Sequence, residues 1–83
     1  MQKVQTFVEN NLLQGGKLKN ADEPLFSSGA IDSLGVLELI AFLEKNYAVT
    51  IDTQKHELRE FDSLRLIQDL LQKLGGKNVQ LSA

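Results

Sequence analysis

The chain has 83 residues, with nine Lys and Arg against eleven Asp and Glu, for a net charge of −2. That length holds one small domain whose thin core hides only about 60–65% of the surface exposed by the unfolded chain. Scattered cations form no basic stripe, which argues against nucleic-acid binding. No run of ~20 apolar residues is present to span a membrane, and Met1-Gln2-Lys3-Val4-Gln5 lacks the apolar stretch of a secretory leader. There is no cysteine, so disulfides, thiolate metal sites and cysteine nucleophiles are excluded. A disulfide-free small domain suits the cytoplasm.

Val4, Phe7, Val8 and Leu12 recur at helical spacing and predict a helix over 3–13, with Gln2, Gln5, Glu9 and Asn10 on its outer side. Gly15-Gly16 ends it. Residues 15–32 have no period and are rich in Gly, Ser, Asn and Asp. A loop beyond about 12–15 residues is usually functional or disordered, and Leu25, Phe26 and Ile31 favour an ordered loop anchored over a bundle.

Residues 33–47 predict the second and best helix. Val36, Leu39, Ile40, Leu43 and Tyr47 share a core face. Leu34, Leu37 and Ala41 make a second apolar strip roughly opposite, bordered by Glu38, Glu44 and Lys45. So small a chain has few elements to cover both faces, which favours a partner for the second. Val49-Thr50-Ile51 reads as an extended link, and polar residues 53–60 as a short helix or single turn. A last helix from about Ser63 to Leu74 carries Leu64, Ile67, Leu70, Leu71 and Leu74, and closes at Gly75-Gly76. Residues 77–83 read as a disordered tail behind a 1–76 domain. The fold class is all-α: three main helices, one short helix and a long loop between helices one and two.

Asp-Ser-Leu occurs twice, at 32–34 and 62–64. Both serines suit helix N-capping. For Ser63, with Phe61 before it and an ordinary core helix after it, capping is the whole reading. Ser33 follows the long loop and Gly29 and opens the doubly apolar helix, where free backbone N–H groups and the helix dipole suit a phosphate. His56, the single histidine, lies in a polar segment that reads as exposed, and nothing supplies the rest of a catalytic triad.

The run from Leu25 through Ile31-Asp32-Ser33-Leu34 to Glu38-Leu39 resembles the attachment region of acyl carrier proteins. The likeness continues through Phe42-Leu43-Glu44 and Val49-Thr50-Ile51 to Phe61-Asp62-Ser63-Leu64. It implies a four-helix, monomeric carrier domain with no catalytic activity and no metal of its own. Ser33 would bear 4′-phosphopantetheine delivered from coenzyme A by a phosphopantetheinyl transferase. The arm would carry an acyl or aminoacyl group as a thioester between loading and modifying enzymes. Asp32 would help hold the site during loading, or serve as a cap alone. Leu34, Leu37, Glu38, Ala41 and Glu44 would face partners.

Gly35 stands where fatty-acid carriers often have an acid, Lys45 follows Glu44, and the net charge is mild. Steering towards positive partner patches is correspondingly weaker. The expectation is therefore a specialised stand-alone carrier serving a secondary-metabolite, modified-lipid or aminoacyl-transfer system. D-alanyl carriers, which also place Asp before the serine, and a non-covalent helical interaction domain are the alternatives.

Overall fold

The computed structural model describes residues 2–76, so the predicted tail at 77–83 lies outside the described residues. Within them the chain is all-helical, with three α-helices: α1 (Gln2–Phe7), α2 (Ser33–Tyr47) and α3 (Leu64–Lys73). A π-helical turn, Val8–Leu12, extends α1, and a single 3-10 turn, Leu58–Phe61, precedes α3. The described residues contain no strand.

The first helix buries Val4 and Val8 completely. Phe7 reaches across to Phe42 of α2, the two rings stacked at 4.2 Å between centroids. The π turn changes one expectation. Glu9, predicted on the outer side, is buried together with Val8. The turn widens here, with the Leu13 N–H bonded five residues back to the Val8 carbonyl at 2.8 Å. Glu9 has a reason to face inward. Leu18 buries its side chain, and the Glu9 carboxylate accepts the Leu18 backbone N–H at 2.8 Å and the Gln5 amide at 3.1 Å. The Leu18 N–H, then Gln5, hold the Glu9 carboxyl below its ordinary value of 4.5 despite the opposing effect of burial, with Lys17 adding to the depression.

Helix α2 runs through the centre. Val36, Leu39 and Leu43 are fully buried, Ile40 and Tyr47 nearly so. Its C-terminus closes on Ala48 in the left-handed conformation, φ 55°. Val49 and Ile51 then pack into the core without forming a strand. Asp52 folds the chain back, its carbonyl accepting the N–H groups of Lys55 and His56. Glu57 and Glu60 form a reciprocal capping box around the 3-10 turn, which delivers Phe61 to the core. Helix α3 adds Leu64, Ile67, Leu70 and Leu71, and Ser63 caps it by accepting the Leu66 N–H. Gly75, at φ +73°, ends this helix as predicted.

Candidate functional site

The loop between the first helix and α2 is ordered by its own side chains. Leu25 is fully buried and Ile31 nearly so. Phe26 is half-buried against the core. The Ile31 N–H bonds to the Leu25 carbonyl at 3.0 Å and the Gly29 N–H to the Phe26 carbonyl at 3.0 Å. The Ser28 hydroxyl donates to the Pro24 carbonyl at 2.8 Å. Gly29 takes a φ of +81°, which L side chains rarely adopt. These contacts bring the chain into α2 along one fixed path.

Asp32 is the N-cap of α2: its backbone is extended, and its carboxylate accepts the Gly35 N–H at 2.8 Å. Ser33 is therefore the first helical residue, and it is exposed. No hydrogen bond from the described residues engages its hydroxyl. Its neighbours on the helix surface are apolar: Leu34 is 64% and Leu37 51% exposed, and Ala41 and Glu38 are exposed as well. Residues 34, 37, 38 and 41 lie on one face at helical spacing. The structure thus brings together Asp32, Ser33, Leu34, Leu37, Glu38 and Ala41. Glu44 stands apart in role. It is half-buried, and its carboxylate accepts the Ile51 N–H at 2.8 Å, tying the extended link to α2.

An open groove of about 270 Å³ is lined by Asp32 and Leu34, the chain neighbours of Ser33, together with Asn11, Leu12, Gly35 and Glu38. Gly35 is buried here. A Cβ at this position would stand 3.4 Å from both the Asp32 carboxylate and the Ile31 Cβ.

His56, predicted as exposed, is half-buried and 3.3 Å from the Glu60 carboxylate. Burial raises the Glu60 carboxyl, but the Glu57 N–H and His56 outweigh it and leave the group below its ordinary value. His56 is occupied in closing the 3-10 turn. Among the described residues no group of three or more His, Asp and Glu side chains is placed to hold a metal ion. No helix among them is long and apolar enough to cross a membrane.

Sequence reading missed Asp62. The second Asp-Ser-Leu does supply a cap, and Ser63 fills it alone. Asp62 turns instead to the loop that leads to Ser33. Its Oδ1 accepts the N–H groups of Phe26 at 2.6 Å, Ser27 at 2.8 Å and Leu25 at 3.2 Å, and its Oδ2 accepts the Ser27 hydroxyl at 2.7 Å. Burial raises this carboxyl, but the Ser27, Phe26 and Leu25 donors together hold it below its ordinary value of 3.8. One signal was available: two cap-competent residues stand in a row where a helix uses one. Arg65 and Asp22 pair at 2.6 Å and add a second tie between α3 and the loop. No protein-family model matches the chain, and no curated protein sequence matches it.

Proposed function

We propose that this chain is an acyl carrier protein, a small four-helix-type bundle with 4′-phosphopantetheine attached through the Ser33 hydroxyl. The observation that carries the reading is the division of labour at the start of α2. Asp32 takes the capping hydrogen bond, which leaves the Ser33 hydroxyl exposed at the first helical position and without a hydrogen bond among the described residues. A phosphodiester there sits at the positive end of the helix dipole. In loading, Ser33 Oγ loses its proton and bonds to the phosphorus of coenzyme A that bears the pantetheine. The pyrophosphate P–O bond breaks and adenosine 3′,5′-bisphosphate leaves. When bound, the arm supplies the thiol that this cysteine-free chain lacks, and that thiol carries the acyl or aminoacyl group as a thioester.

Leu34, Leu37, Ala41 and Glu38 form the face on which transferase and processing enzymes dock, next to the attachment point. Glu44 borders that face and is held by Ile51. The mild net charge of −2 fits a specialised carrier that relies on apolar contact more than on long-range steering.

Intact-mass measurement after incubation with coenzyme A and a broad-specificity phosphopantetheinyl transferase tests the proposal. The expected outcome is the gain of one phosphopantetheine in the native chain and none in Ser33→Ala. A second reading, a non-covalent helical interaction domain, draws on the exposure of Leu34 and Leu37. It predicts no mass gain and partner binding that Ser33→Ala leaves intact.

A further inference from the structure

Asp62 receives four donors from loop residues 25–27: the Phe26 and Ser27 N–H groups and the Ser27 hydroxyl on its carboxylate, and the Leu25 N–H shared between its backbone carbonyl at 2.7 Å and Oδ1 at 3.2 Å. Its backbone N–H closes the 3-10 turn on the Arg59 carbonyl, but its side chain caps no helix, because Ser63 caps α3. What these bonds fix is the loop. Order passes on from there: the Leu25 carbonyl holds the Ile31 N–H, Ile31 is buried, Asp32 caps α2, and Ser33 follows. A continuous set of contacts joins the start of α3 to the entry of α2.

We propose that Asp62 is a positioning residue for the loading of Ser33: it holds residues 25–31 in the conformation that a phosphopantetheinyl transferase engages. The inference rests on the carrier reading above. Ser33 itself is on a rigid helix, so its attack geometry does not depend on Asp62. The segment leading to it is irregular, and these bonds hold it from outside in addition to its own buried anchors and internal hydrogen bonds. Without them, the transferase must order the segment on binding, and that cost falls on association. The effect therefore belongs in KM for the carrier, with kcat kept. Arg65, which ties Asp22 farther upstream at an exposed site, provides the contrast.

The experiment measures transferase kinetics on the full chain with coenzyme A. Loading of the native chain is the test of the carrier reading, so its absence is separable from a failure of the present proposal. Asp62→Asn weakens the clamp while keeping its shape. It is expected to raise KM about fivefold or more with kcat within about twofold, and Arg65→Ala to leave both within about twofold. Amide hydrogen exchange supplies a readout that general destabilisation does not mimic. In Asp62→Asn, exchange at Phe26 and Ser27 accelerates by a larger factor than at Leu39 and Leu43 in α2, whose exchange tracks global opening. Should Asp62→Asn not fold, Ser27→Ala decides, since it removes only the hydroxyl bond; its KM is expected to rise about threefold. A native KM in folded Asp62→Asn overturns the proposal, as does a native KM in Ser27→Ala where that variant decides. A fall confined to kcat overturns it too.

Discussion

The two Asp-Ser-Leu tripeptides have the same letters and opposite arrangements. At 32–34 the aspartate is the cap, and the serine, one position inside the helix, is exposed. At 62–64 the serine is the cap and is buried, and the aspartate faces away from its own helix to hold the loop before the other tripeptide. The cap has moved by one residue. That step decides which hydroxyl is free, because a capping serine has its oxygen committed to a backbone N–H. The leucines differ in the same way: Leu34 is 64% exposed and Leu64 is 5% exposed. A short motif therefore gains its chemistry from cap register and burial, both set by what lies outside it.

The largest effect that can break this comparison is covalent. Ser63→Ala should load with phosphopantetheine as the native chain does, while Ser33→Ala should show no mass gain. Modification that persists in Ser33→Ala, or vanishes in folded Ser63→Ala, would reverse the assignment of the two sites.

Next comes the core beside the exposed strip. Leu39 is fully buried and Leu37 is 51% exposed, two residues apart on α2. Leu39→Ala should cost about 2–5 kcal/mol in a denaturant melt. Leu37→Ala should cost under about 0.5–1 kcal/mol and weaken transferase binding instead. Equal losses of stability would remove the two-faced description of α2.

The helices, their apolar stripes and the Ser33 face were legible because they rest on local periodicity. Val36, Leu39, Ile40, Leu43 and Tyr47 recur at helical spacing, and so do Leu34, Leu37 and Ala41 on the other side. The anchors Leu25 and Ile31 were legible as apolar residues stranded in a polar loop. What the sequence hid is long-range and polar. Asp62 lies 35 to 37 residues from its loop partners, and no periodicity encodes that distance. Glu9 was read outward because it follows the polar side of an ideal α-helix, whereas the π turn turns it inward, where its carboxylate accepts the Leu18 N–H. His56 looked solvated because its partner, Glu60, is brought close only by the 3-10 turn. The resemblance of the first tripeptide to carrier proteins rests on sequence, where capping by Asp32 stood as one of two alternatives; the Gly35 N–H on its carboxylate shows that Asp32 is the cap.

Acid should loosen the clamp that the second tripeptide places on the loop. The folded chain holds the carboxyls of Asp62 and Glu9 below their ordinary values of 3.8 and 4.5. A depressed folded value means that the stabilisation is complete above the unfolded value and is lost as pH falls through the folded one. Stability should thus stay flat from neutrality to about pH 5 and decline below it. Asp62→Ala should cost about 1.5–3 kcal/mol at neutral pH, the range for losing hydrogen bonds to a charged group. It should also make the acid decline shallower, which urea melts across pH 3 to 7 would reveal. An unchanged slope would mean that the Asp62 clamp adds nothing to folding.

The smallest effects test cap register itself. Asp32→Ala and Ser63→Ala each remove a side-chain acceptor from the N–H three residues on, and each should cost about 1 kcal/mol. The reciprocal change at the first site, Ser33→Ala, should shift stability by no more than about 0.5 kcal/mol in either direction. Its hydroxyl serves no hydrogen bond among the described residues, and alanine is the better helix former at an exposed position. Chemical denaturation of these three variants under one buffer condition resolves the order. If Ser33→Ala proves as costly as Ser63→Ala, then the Ser33 hydroxyl is committed to the fold, and the free nucleophile on which the loading chemistry depends is lost.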